Sequence, residues 1–244
     1  MSDGQFDLPF ELGRGRRHRR LADTTCIYCG GDAQTRDHVP PKALLVEPWP
    51  PNLRTVPACT SCNSAWSLDE QYLAIVVAHL TENTEIRASL DPNGAVDRAL
   101  AAAPLLEDRI IDSLSVDEDG RVMLAPEIDR MRRIAEKVAH GLHCLKYGTG
   151  PQLCDFKAWR IVGPGEELVP NLVAAQWNWP GLRRKRWTTV QTGVFSFIFA
   201  RGWMAEDPPL YCLLNLADTL LMVVDCPAPA GKPASKRLRA KPWR

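Results

Sequence analysis

Cys26-Ile27-Tyr28-Cys29, Arg36-Asp37-His38-Val39-Pro40, Asn52-Leu53 and Cys59-Thr60-Ser61-Cys62-Asn63 follow one another in a single short stretch. Cysteines three positions apart can grip one metal ion from a tight turn, and the chain between Cys29 and Cys59 is long enough to fold back. Four thiolates on one ion make a closed tetrahedral site, which is structural. The four remaining cysteines, Cys144, Cys154, Cys212 and Cys226, lie mostly among apolar neighbours and read as ordinary buried thiols.

Between the two pairs lie residue types suited to phosphodiester hydrolysis. His38 is a natural general base, since neutral imidazole takes a proton near pH 7. Asp37 is a hard oxygen ligand of the type magnesium or manganese prefers.

The order of these elements resembles the HNH endonuclease family, whose active site is a ββα-metal module built on a zinc knuckle. The resemblance spans roughly residues 22–66 and rests on Asp37-His38-Val39-Pro40, on Asn52, and on Asn63 directly after the second cysteine pair. It implies that His38 is the general base and that Asp37 and Asn63 hold a catalytic Mg2+ or Mn2+. Asn52 is then expected to steady the loop carrying the histidine, with structural Zn2+ on Cys26, Cys29, Cys59 and Cys62. Many members carry a Lys or Arg shortly after the last knuckle, where Ala65-Trp66-Ser67 stands here. Arg36 or Arg54 is the expected substitute for phosphate contact.

The fold expected is α+β: a small zinc-bound ββα-metal module, then a helical segment and a small antiparallel sheet. The chain divides into a basic flexible arm over 1–22, the nuclease module over 23–78, an α+β accessory region over 79–226 that positions substrate, and a basic tail over 227–244. Ser67-x-x-Glu70 reads as a capping box opening a helix, with Leu73, Val76, Val77 and Leu80 on one stripe. His79 falls in that apolar run and is expected in the core. An Ala-rich segment from Ala95 to about Ile111 is interrupted by Pro104, and Asp119-Gly120 marks a hairpin. The long helix from about Glu127 to Tyr147 ends at Gly148. His140 and His143 on it read as helix-surface or core residues. Phe195, Phe197 and Phe199 alternate, and Leu210–Leu214 and Leu220–Val224 flank a turn, as in an antiparallel sheet.

The formal net charge of +1 conceals segregation. Arg14–Arg20, Arg183–Arg186 and Gly231–Arg244 contain no acid and hold half of the 30 basic residues. Basic segments of this kind suit phosphate contact. Arg183, Arg184, Lys185 and Arg186, flanked by Trp177, Trp179 and Trp187, are candidate contacts for nucleic acid, though packing is the plainer role of these tryptophans. No run is long and apolar enough for a membrane span or a signal peptide, so no membrane partner and a cytoplasmic location are expected. The expected partner is nucleic acid, DNA first, in a setting such as phage defence by association with the family. Two alternatives stand beside this: a non-catalytic zinc-knuckle binding module, and an RNA-directed nuclease using the same site.

Overall fold

The computed structural model describes residues 25–92, 94–116, 118, 122–148, 154–161, 186–202 and 210–228. The expected basic arm, Arg183, Arg184, Lys185, Trp177, Trp179, the Asp119-Gly120 turn and nearly all of the basic tail lie outside these residues.

A hairpin opens the described chain, pairing β1 (Thr35–Val39) antiparallel with β2 (Arg54–Ala58). Two helices follow at once, α1 (Thr60–Ala65) and α2 (Ser67–Leu80), with Trp66 as the joint. Because they nearly run together, α2 has no free N-terminus for Ser67 to cap. The expected capping box is therefore absent: the Ser67 hydroxyl donates to the Ser64 carbonyl, and Glu70 turns to Lys137 instead. A short α3 (Thr84–Arg87) is capped by Asn83, whose side-chain Oδ1 accepts from the Glu85 and Ile86 amides. Then come α4 (Ala95–Ala102) and α5 (Pro104–Asp112), divided at Pro104, and the small hairpin of β3 (Leu114–Val116) and β4 (Val122–Leu124).

The long helix α6 (Ile128–Tyr147) stops at Gly148, which adopts the left-handed conformation with φ 68. Beyond it lies a five-stranded antiparallel sheet in the order β5-β9-β8-β7-β6. Its strands are β5 (Asp155–Ile161), β6 (Thr188–Gln191), β7 (Phe195–Arg201), β8 (Leu210–Leu216) and β9 (Leu220–Cys226). The architecture is α+β, as expected.

One core joins these parts. Val39, Val56, Leu73 and Val77 pack in the same cluster as Met131, Ile134 and Val138 of α6 and Phe195, Leu214 and Val224 of the sheet. The division expected after residue 78 falls inside α2, so among the described residues the hairpin module and the region beyond it share a hydrophobic interior. Ion pairs seal the α2–α6 seam: Asp69 accepts from Arg130 at 2.9 Å and from Arg133 at 2.7 Å. His79, expected in the core, is exposed on the last turn of α2. Its Nδ1 lies 2.9 Å from the Ile75 carbonyl, one turn back along the helix. His140 and His143 are buried, and His143 donates from Nε2 to the Pro227 carbonyl at 2.9 Å.

Gly141 is where α6 meets the hairpin. A Cβ at this position would stand 2.6 Å from Val39 Cγ2 and 3.0 Å from Cγ1. Gly141→Ala therefore forces β1 away from α6, and an expected loss of about 1–3 kcal/mol follows from overpacking. A urea unfolding curve measures it; an unchanged midpoint would show that the seam yields freely.

Candidate nuclease centre and its cysteine cluster

The first cysteine pair sits on a tight turn. The Cys26 amide donates to the Gly31 carbonyl and the Gly30 amide to the Cys26 carbonyl, with Gly30 at φ 78. The Ile27 amide donates to the Pro57 carbonyl, which ties this turn to β2. Cys59 is the N-cap of α1, its sulfur accepting from the Cys62 amide at 3.3 Å. The helix start thus presents Cys59 and Cys62 back toward Cys26 and Cys29.

All four sulfurs lie within 4.8 Å of one another, a group that could hold one metal ion. Cys29 Sγ and Cys59 Sγ are 3.7 Å apart. Thiolates around a tetrahedral zinc with bonds of about 2.3 Å stand about 3.8 Å apart, so the donor set and its spacing fit. The Ser61 hydroxyl, then the Cys62 amide, lower the Cys59 thiol, while burial, then Cys59, raises the Cys62 thiol, so the two share their protons unequally.

Strand alternation divides the residues of β1 between two faces. Asp37 and Val39 turn inward with Val56 and Ala58, whereas Arg36 is exposed and His38 half-buried on the open face. His38 is cross-strand from Thr55, and Arg36 Nη1 reaches Thr55 Oγ1 at 3.4 Å. Burial, and next the Lys42 ammonium, hold the His38 imidazole below its usual range against an opposing pull from Asp37. The shift favours the neutral ring, the form that accepts a proton.

Asp37 is only 6% exposed, and its partner is one the sequence reading missed. Its Oδ2 accepts from Lys137 Nζ of α6 at 2.8 Å and from the Tyr28 hydroxyl at 2.7 Å. Lys137 is itself 4% exposed and also pairs with Glu70. Burial, then the Asp37 charge, push the Tyr28 phenol well above its ordinary range, so it stays a donor. Burial raises the Glu70 carboxyl, opposed by Lys137. One ammonium is thus shared between two carboxylates under the hairpin. Replacing Lys137 by Met strands both acids, and removing one partner of a buried pair costs about 3–5 kcal/mol. Chemical denaturation of Lys137→Met reads this directly; a loss below about 1 kcal/mol, the level of a surface pair, would show that the network is solvated.

Asn63, in α1, donates from Nδ2 to Thr35 Oγ1 at 3.2 Å. Thr35 shares the face of Asp37, so the structure brings Asn63 to the same side of the hairpin. Among the described residues, Oδ1 of Asp37 and Oδ1 of Asn63 take no hydrogen bond, because the contacts made by these side chains use Oδ2 and Nδ2. Carboxylate and amide oxygens are the hard donor type that magnesium and calcium take. The Lys137–Tyr28 clamp on Oδ2 is the kind of outer support that orients a ligating carboxylate.

Asn52 is exposed in the turn entering β2, and its side chain makes no hydrogen bond among the described residues. Arg54 and Arg186 are exposed. No helix among the described residues is long and apolar enough to cross a membrane. No family model, curated protein or solved structure matches this chain.

Proposed function

We propose that this protein is a metal-dependent endonuclease of the HNH type that hydrolyses phosphodiester bonds in DNA. The observation that carries the reading is the arrangement of the hairpin, α1 and the cysteine cluster. Asp37 and His38 sit on the first strand of a β-hairpin that runs directly into a helix, and that helix begins on the second cysteine pair. Zinc on Cys26, Cys29, Cys59 and Cys62 would fix the helix against the hairpin and supply no chemistry of its own.

We assign the proton of the attacking water to His38, whose ring stands on the other face of β1 from Asp37 and Asn63. Asp37 and Asn63 would hold a magnesium or manganese ion through their free oxygens, which when bound polarises the phosphate and stabilises the leaving alkoxide. Tyr28 and Lys137 hold the Asp37 carboxylate in direction through Oδ2. Arg36, on the face of His38, would meet a neighbouring phosphate, and Arg54 and Arg186 are exposed candidates for other phosphates. Asn52, expected to steady the loop carrying the histidine, makes no such hydrogen bond among the described residues.

The test is nicking of supercoiled plasmid by zinc-loaded protein, with and without added magnesium or manganese, and with single-stranded RNA in parallel. Nicking that requires the added ion is expected. Cleavage of RNA alone would transfer the same site to the RNA-directed reading. Binding of nucleic acid with no cleavage of either substrate under any metal would favour the binding module instead.

A further inference from the structure

Each cysteine pair carries one of the two side chains assigned to the catalytic cation. Asn63 follows Cys62 directly, within α1. Its Nδ2 donates to Thr35 Oγ1 at 3.2 Å, which lays it against β1. Asp37 is joined to the other pair through space. Tyr28 stands inside the first knuckle, between Cys26 and Cys29, and its hydroxyl donates to Asp37 Oδ2 at 2.7 Å.

The position of Tyr28 follows that of the knuckle. The turn carrying it is closed by hydrogen bonds from the Cys26 amide to the Gly31 carbonyl and from the Gly30 amide to the Cys26 carbonyl. Its ring meets Trp66 edge-on, with centroids 4.9 Å apart and planes at 66°, and lies 5.7 Å from the His140 ring of α6. Trp66 is the joint at which α1 passes into α2. Packing thus holds the ring, and the hydroxyl is left to Asp37. A phenylalanine would keep the packing and lose only the hydrogen bond.

We propose that Tyr28 is a positioning residue through which the zinc cluster sets the spacing of Asp37 and Asn63, so that zinc and the catalytic cation support one another. This rests on the nuclease reading above and names how that site is controlled. Drawing the four sulfurs onto one ion fixes the first knuckle relative to α1, and with it Tyr28 relative to Asn63. The tyrosine hydrogen bond passes that position on to Asp37. Lys137 reaches the same carboxylate oxygen from α6 at 2.8 Å, an anchor that does not run through the cluster. Cutting the tyrosine contact therefore frees Asp37 from the cluster without leaving its charge unpaired. Coupling between two binding sites is reciprocal, so a cation on Asp37 and Asn63 must in turn steady the knuckle.

The test compares the full zinc-loaded chain with its Tyr28→Phe variant, using Mn2+ as the probe and no nucleic acid. Electron paramagnetic resonance of free Mn2+ gives the affinity, and hydrogen exchange reports the order of the knuckle turn. Tyr28→Phe should keep its zinc and its fold yet bind Mn2+ about 10–100-fold more weakly, the usual cost of losing an outer partner of a metal ligand. In the wild type, saturating Mn2+ should slow exchange of the Cys26 and Gly30 amides severalfold. In the variant, saturating Mn2+ should leave those amides unchanged. Undiminished Mn2+ affinity in Tyr28→Phe overturns the positioning role. Wild-type turn amides that ignore bound Mn2+ overturn the coupling, and this comparison decides the matter if the variant fails to hold zinc. Either result leaves the nuclease reading standing. Wild-type protein that binds no Mn2+ overturns the cation site of that reading, and the coupling with it.

Discussion

Cys59→Ser is expected to leave the protein without its metal and largely insoluble. Cys59 does two jobs: its sulfur belongs to the four-sulfur cluster, and it caps α1 by accepting from the Cys62 amide. The apolar packing around the cluster is slight, with Cys26, Ala58 and Cys59 buried and only Tyr28 and Cys62 against them. Such a corner cannot hold its shape by burial alone. A four-thiolate zinc supplies about 10–16 kcal/mol of apparent binding energy, more than the roughly 5–15 kcal/mol by which a domain is ordinarily stable. Loss of one ligand should therefore release α1 and Asn63 from the hairpin and expose the edge of the shared core. Metal analysis and soluble yield measure this. A soluble, folded Cys59→Ser protein with no bound zinc would contradict the structural role.

His38→Ala should behave in the opposite way, folded but inactive. The imidazole is half-buried on the open face of β1 and makes none of the contacts that join β1 to α6. Losing a positioned general base lowers the chemical step by about 10²–10⁴-fold. Zinc content and unfolding midpoint should stay at the wild-type values. An equally large fall in stability would mean that His38 holds the loop rather than the proton.

The cysteine module was legible because its signals are local. Paired cysteines, an Asp-His step and a turn at Gly30 need no knowledge of the rest of the chain, and the hairpin and α1 follow from them. The long helix was legible from its stripe and its glycine stop. The edge strands were not. β5 carries Asp155, Lys157 and Arg160, with most of its side chains at least partly exposed, so it shows no alternation; β6 is short and also at an edge. Charged or short edge strands guard a sheet against further pairing, and the same property hides them from a pattern search.

Lys137 was missed for a different reason. A lysine on an amphipathic helix reads as solvated, and its acids, Asp37 and Glu70, lie on distant elements. A signal was present all the same: Lys137 stands three residues after Ile134 and four before Gly141, inside the stripe that faces the core. His79 shows the converse error: it lies within an apolar run but on the outward side of α2, between buried Ala78 and buried Thr81. The inward aim of Asp37 also had to come from the structure, since the motif fixes which residues are adjacent but not which face the third layer covers.

Whether His38 acts on a phosphodiester is tested most directly by one assay. Zinc-loaded wild-type protein and His38→Ala, purified in parallel and matched in zinc content, are incubated with supercoiled plasmid and magnesium or manganese. The account predicts metal-dependent nicking by the wild-type protein and its near-complete loss in the variant. Equal nicking by both proteins would contradict the assignment of the base, and with it the proposed nuclease centre.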